Sequence, residues 1–559
     1  MLLSQKLFSW FENKHVFLLA CLVLILLKLF LVGGQRIFFM PFAVHDDGLF
    51  ANNAYAISNG GWLGAYNQLT LAKGAFFPVW LAFLNFFSIP VLTGNQILYI
   101  LACTFLIVAL KPIFKSRLHE LICFAFLLFN PITLGEVTML RIIRDAMNHS
   151  LIMIIFAGFI GMFMYRDDKK RMLGFSLICG LALGAAWHTR EDTFWVLPFA
   201  IVACIITALF IVFEKNNVLI KSAFLLIPFV FIFLSNVVIA EINHIAYGRR
   251  VVNDFRSRDF QSAYGALLRI AHDEFSYQIP VPTDARMRAY EVSPAFAELK
   301  YYLDGERLSG WKGPGPDTDD FNGGWFFWAL RDAVALVGYY DHPLYAQEFY
   351  ERMARELNYA LDSGLIPART GRRSSLAPPF EQRHIAPVAH YTWQSALFVT
   401  RFDGFSMRHG LYYFSPMPED EDYFALIRQG ETFFNQLSQY GIPPANEINL
   451  ATTRMIHRIV RVYGWITPVL SVLSLLTLAY LTIARKFQFY REGIIMWGLF
   501  MAFMARNVMV AFVHVTSFPA INTLYLSSSY FLVLLFNILG VSCIAALGMD
   551  IIAKGQIYE

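Results

Sequence analysis

Asp46 and Asp47 are adjacent acids in residues 45–74, HDDGLFANNAYAISNGGWLGAYNQLTLAKG, a polar stretch between two apolar runs that closes on Lys73. An acidic residue at a helix start is stabilised by the end dipole, and LFANNAYAI would set Leu49, Phe50, Ala54 and Ile57 on one helical face. One carboxylate is therefore expected to open a helix. The other would face the aqueous mouth beside the bilayer, where partial desolvation raises a carboxylate pKa and lets it take a proton from a hydroxyl. Lys73 ends the loop that the aspartates begin, so base and cation come to one membrane face. Together they could attack a lipid phosphosugar: the base takes the acceptor proton, and the cation stabilises the departing phosphate.

Further cations stand where such a leaving group would need them. Arg141 and Arg144, followed by Asp145, fall at one turn between apolar runs, and Arg190, Glu191 and Asp192 fall at another, in GAAWHTREDTFW. Arg454, His457, Arg458 and Arg461 recur at i, i+3, i+4 and i+7, a single basic stripe on a helix entering the membrane. A stripe of this kind suits a phosphate or pyrophosphate head group, which arginine grips with forked hydrogen bonds. Arg506 lies inside an apolar run, where an arginine costs at least ~2.5 kcal/mol unless it meets a cavity or a partner. His514, eight residues on, falls on nearly the same face.

These residues need a membrane scaffold. The 559 residues are 57% hydrophobic and 15% charged, a balance too apolar for a soluble surface. The net charge of +4 comes without a long basic tail, so nothing points to nucleic acid, and no nucleic-acid partner is expected. All six cysteines lie in apolar runs, so no disulfide framework is expected. Runs of about 20 apolar residues, the length that crosses a bilayer, are found near 16–34, 75–93, 95–112, 119–138, 147–165, 172–189, 194–213, 220–243, 459–484, 492–513 and 523–548. Short basic loops stay cytoplasmic, which puts Lys6, Lys14, the loops at 166–171, 215–221 and 485–491 inside, and residues 36–73 and 244–456 outside. The loop with Lys111, Lys115 and Arg117 conflicts with two full crossings before it: either one of those segments does not fully cross, with Pro78 and Pro90 pointing to 75–93, or the loop departs from the rule.

Three parts follow: a transmembrane module over 1–243 including the outer loop 36–73, an extracytoplasmic domain over 244–456, and C-terminal membrane helices over 457–559. The middle part reads as mainly helical, with Ser293 and Pro294 opening one helix and glycine-terminated helices over 324–338 and 343–364. Asp317, Asp319 and Asp320 lack calcium-loop spacing and read as a solvated acidic turn.

A first span, an outer loop with paired acids, a following Gly60-Gly61-Trp62 and a lysine opening the next apolar run resemble the GT-C glycosyltransferase superfamily, such as protein O-mannosyltransferases and lipid A aminoarabinose transferases. The resemblance covers roughly residues 16–215; after the lysine this chain has KGAFFP where those two groups place prolines directly. It implies an all-α polytopic membrane protein with a GT-C-like helix bundle. It also implies a polyprenyl-phosphate sugar donor and an active site on the extracytoplasmic face of a bacterial inner membrane. Asp46 or Asp47 corresponds to the family's catalytic or metal-associated acid, Lys73 to its phosphate-facing lysine, and Arg190 to a cation after a glycine-rich span. The expected reaction is inverting transfer to a glycan, lipid or protein acceptor, leaving room for a divalent metal at the acids. Besides donor and acceptor, membrane lipids are the expected partners. A transporter or flippase of lipid-linked saccharides, or a non-catalytic receptor, are the alternatives.

Overall fold

The computed structural model describes residues 11–33, 35, 37, 43–273, 275–314, 319–407 and 447–558. Lys6, Asp317, parts of the 36–73 loop and residues 408–446 of the middle part lie outside the described residues. Among the described residues the protein is a helical bundle with one small sheet, an antiparallel pairing of Gly313–Pro314 with Asp319–Asp320.

Among the described residues, eight helices are long and apolar enough to cross a membrane: Lys14–Gly33, Val91–Ile113, Asp145–Met164, Glu191–Glu214, Val218–Tyr247, Leu450–Ile483, Phe487–Thr516 and Thr523–Gly548. The expected eleven are reduced at three places. Residues 75–93 form only the helix Phe76–Phe86, which stops before Ser88, a residue in the left-handed region. Residues 119–138 split into Arg117–Leu128, a turn around Asn130 and Pro131, and the single turn Glu136–Met139. This irregular backbone is buried by neighbouring helices, the one setting in which it is tolerated at membrane depth. Lys169–Trp187 is helical over 19 residues but starts with three basic residues.

The short 76–86 helix removes the topological conflict. With one crossing in place of two, the 111–117 loop returns to the chain's N-terminal end, where Arg117 donates to the Glu12 carbonyl at 2.7 Å and its amide to the Glu12 carboxylate at 3.0 Å. Arg166 joins Glu214 at 2.7 Å and the Tyr490 hydroxyl at 3.1 Å, so three further basic loops meet one another. One helix, α1 (Asp145–Met164), forms the axis, and all 20 of its residues are buried. Gly158 lets it press on Lys169–Trp187: a Cβ there would stand 2.4 Å from that of Cys179. The outer helices instead expose large apolar side chains such as Leu22, Leu226 and Phe233, a face suited to lipid. Buried in the first span is Lys28, which donates to Thr133 Oγ1 at 2.5 Å. All six cysteines are free.

Between Tyr247 and Arg401 the chain builds a helical segment on one end of the bundle. Continuous helix passes through both expected boundaries, 243/244 and 456/457. The expected helices are present as α2 (Gly323–Leu336) and α3 (Pro343–Asp362), each followed by a positive-φ glycine, Gly338 and Gly364. Ser293 caps its helix through Phe296 N, although that helix breaks into two single turns. Within the acidic turn Asp320 is not solvated: it is 4% exposed and pairs with buried Arg286 at 2.8 Å.

Candidate active site

The stretch 45–73 is held from two sides. Its helix, Asp47–Ser58, buries Leu49, Phe50 and Ala54. Its return limb is fixed by Arg331 of α2, fully buried, which donates to the Gln68 carbonyl, and by the Asp254 amide, which donates to the Leu71 carbonyl at 2.8 Å. Trp62 donates to Asn243 at 2.7 Å. Gly74 then sits against the His188 carbonyl, 2.1 Å from where a Cβ would lie, and this close approach fixes Lys73 beside the 188–192 turn.

Lys73 donates to Asp46 and, at 2.6 Å, to the His45 carbonyl. Arg141 forks onto Asp47, with its closest contact at 2.5 Å. Neither aspartate makes a side-chain cap: Asp46 occupies the N-cap position without a cap bond, and Asp47 is committed to Arg141. The two acids are thus unlike. The Asp46 side chain is 47% exposed and Asp47 is fully buried.

Behind this pair the two basic turns interlock. Arg144 meets Glu191 at 2.8 Å, Arg190 pairs with Asp145 and with Asp192 at 2.9 Å, and Asp192 receives Arg506 at 2.7 Å. Arg506 also donates to the Tyr525 carbonyl at 2.6 Å, which gives the intramembrane arginine the partners its burial demands. Glu191 reaches the Gly74 amide at 3.4 Å, closing the circuit to Lys73. Asp46, Asp47, Lys73, Arg141, Arg144, Arg190, Glu191 and Arg506, scattered over four regions of sequence, are therefore one cluster.

The surroundings set proton affinities apart. Burial alone would raise the Asp46 carboxyl, but the charge of Lys73, with Arg144 and Arg141 beyond it, outweighs burial and brings it down to about 2. At Asp47 burial wins over Arg141, aided by the charge of Asp46, and the carboxyl is raised. Lys73 is buried enough to fall below the ordinary lysine value although Asp46 pulls it up.

No three metal-ligating side chains converge among the described residues, and each carboxylate of the cluster is matched to lysine or arginine. These residues do not fit a divalent-cation site.

The basic stripe is elsewhere. Arg454, His457, Arg458 and Arg461 are exposed on the helix Glu447–Ile483, and His457 meets Phe405 edge-on at 5.9 Å. No bond or ion pair joins the stripe to the Asp46 cluster among the described residues. His514 caps the end of its own helix, its Nδ1 accepting the Ala520 and Ile521 amides at 3.1 and 3.4 Å.

Sequence reasoning missed Arg256, which donates to the carbonyls of Arg190 and Glu191 at 3.3 and 3.2 Å from a segment with no helical basic pattern. It also missed Asp332, whose carboxylate lies 3.4 Å from the His45 ring. The adjacency of His45 to the aspartates was the available signal, but nothing in α2 marked Asp332.

No family model matches the chain, and no curated protein matches it. Among solved structures it is similar to the crystal structure of ArnT from Cupriavidus metallidurans in the apo state, with a TM-score of 0.30 and 12% identity over 94% of this chain and 76% of that one. It is also similar to ArnT from the same organism bound to undecaprenyl phosphate, with a TM-score of 0.29 and 12% identity over 95% and 77%.

Proposed function

We propose that the chain is an integral membrane glycosyltransferase of the GT-C type, moving a sugar from a polyprenyl-phosphate donor to an acceptor hydroxyl on the extracytoplasmic face. The observation that carries this reading is Lys73, a buried lysine with two of its three N–H groups engaged by Asp46 and the His45 carbonyl. An incoming phosphate takes the third and competes with Asp46 for the charge. As Lys73 turns to phosphate, Asp46 loses the cation that holds its pKa down, so the half-exposed carboxylate becomes a stronger base when a donor is bound. It then accepts the proton of the acceptor hydroxyl. The acceptor oxygen bonds to the anomeric carbon as the bond to the phosphate oxygen breaks, with inversion. Polyprenyl phosphate leaves as an anion, stabilised by Lys73 with Arg141 and Arg144.

Two further features fit a lipid carrier. An apolar crevice lined by Phe159, Phe163, Phe199, Ile206 and Ile495 runs between the three helices that also bear Asp145, Asp192 and Arg506. At ~1.5 Å per residue these residues lie roughly 10–21 Å along the latter two helices from Asp192 and Arg506. The joined basic loops lie at the other end of the bundle, which under the positive-inside rule supports an extracytoplasmic position for the cluster's end. The exposed stripe offers a second, weaker contact for a carrier or acceptor head group. Lys73 and its arginines supply the charge neutralisation that a divalent metal would bring, and no step is assigned to one.

The test is turnover. Purified protein in nanodiscs is incubated with a labelled polyprenyl-phosphate sugar and mixed glycan, lipid and peptide acceptors. Release of polyprenyl phosphate with transfer of label supports the reading. Binding of the donor with an intact sugar–phosphate bond, and its translocation once the protein is moved into sealed vesicles, would instead establish a flippase.

A further inference from the structure

His45 adjoins the candidate base and is gripped by a different part of the chain. Its ring stands edge-on between Trp311, with centroids 4.6 Å apart, and Trp328, at 5.0 Å. Its Nε2 lies 3.4 Å from Asp332 Oδ2, the oxygen that also accepts Trp311 Nε1–H at 2.9 Å. Trp328 and Asp332 sit four residues apart on α2, one turn and one face. The His45 and Asp332 side chains are only 20% and 15% exposed, so this is an interior contact. Trp328 also puts its ring 5.3 Å from Lys73 Nζ.

The consequence for the site runs through the backbone. The His45 carbonyl is one of the two anchors of Lys73, and the next residue is Asp46. A rotation of this peptide would move the carboxylate and the lysine's tether together. An imidazole wedged between two indoles and braced by a carboxylate resists that rotation, whereas a free loop histidine would not. When a phosphate draws Lys73 away from Asp46, the carbonyl is the anchor that remains.

We propose that Asp332 is a positioning residue: by bracing His45 against Trp311 and Trp328 it fixes the peptide that carries Asp46 and the carbonyl tether of Lys73. The proposal rests on the glycosyl-transfer reading for its catalytic effect. Its geometric content can be read without turnover.

The test uses the full chain in nanodiscs. Asp332→Asn keeps the shape but leaves a single acceptor oxygen for His45 and Trp311. Trp311→Phe keeps a ring and removes only the N–H. In Asp332→Asn, kcat falls about 10-fold with donor KM within about twofold, because misplacement of the base costs the chemical step more than binding. Trp311→Phe gives a smaller loss, and the double variant is no worse than Asp332→Asn alone, as expected of one connected brace. Acylation of Lys73 by an amine reagent, followed by peptide mass spectrometry, rises several-fold in Asp332→Asn as the tether loosens. Lys73 labelling unchanged relative to the other lysines, or a kcat loss no larger than the lost folded fraction, would overturn the proposal. A wild-type protein that never turns over the donor defeats the transfer reading instead, and the labelling ratio still decides the brace.

Discussion

The Asp46–Lys73 cluster and the Arg454–Arg461 stripe are both basic regions at helix ends, and they differ in what faces each charge. In the cluster every cation meets a carboxylate or a carbonyl under cover, as with Arg190 between Asp145 and Asp192 or Arg506 on Asp192. In the stripe four basic side chains stand exposed on one helix. A charge in low dielectric interacts strongly and depends on its partner, while an exposed charge is screened by water and salt. The regular spacing of the stripe was the more visible pattern in the sequence, yet it is the dispersed residues that interlock into a cluster.

This contrast can be broken by substitution. Lys73→Met should reduce transfer the most, by about 10³-fold, comparable to losing a main electrostatic contact to the leaving group; single-turnover kinetics on the purified protein checks it. Arg506→Met removes one charged hydrogen-bond partner of Asp192 while Arg190 remains, so a loss of about 1.5–3 kcal/mol is expected in thermal unfolding. At the other extreme, Arg458→Ala and Arg461→Ala should each change stability by under about 0.5 kcal/mol. Any effect there belongs in donor or acceptor KM, a few-fold at most, and should fade with added salt. An equal collapse from the stripe variants would erase the distinction between the regions.

The pH dependence sharpens the comparison within the cluster. Without bound donor Asp46 is held down at about 2 by Lys73, so it stays ionised down to strongly acid pH, and under the proposed reaction kcat/KM should have no acid limb from it near pH 4. With donor bound and Lys73 drawn to phosphate, the Asp46 pKa rises, so the acid limb of kcat should lie above that of kcat/KM. If Asp47 were the base, its raised carboxyl would put the kcat/KM limb above the ordinary carboxylate value of about 4, with activity falling as pH drops through it. The same shifts act on folding. The lowered Asp46 contributes stability above its unfolded pKa, which is lost as pH falls toward about 2.

Much of the bundle was readable from runs of apolar residues, because a span must satisfy its backbone internally and bury no water. The 119–138 run was not, since Asn130 and Pro131 end the helix and the surrounding protein shelters the break. Lys28 escaped notice because its neighbours are so apolar that the run still reads as a span. In the site, Arg506 was legible as an expensive residue, but its partner Asp192 is 314 positions away, and no local pattern links the two. Asp46 and Asp47 were legible as a pair and illegible as individuals. One residue of offset turns one carboxylate toward water and the other into Arg141.

That difference is the claim most open to a direct measurement: single-turnover transfer and donor binding by Asp46→Asn in nanodiscs, beside wild type. Removal of the base should slow transfer by about 10²–10⁴-fold, while the polyprenyl-phosphate sugar binds as well as or better than to wild type, because Lys73 no longer has Asp46 to release. Transfer at the wild-type rate in Asp46→Asn would contradict the account.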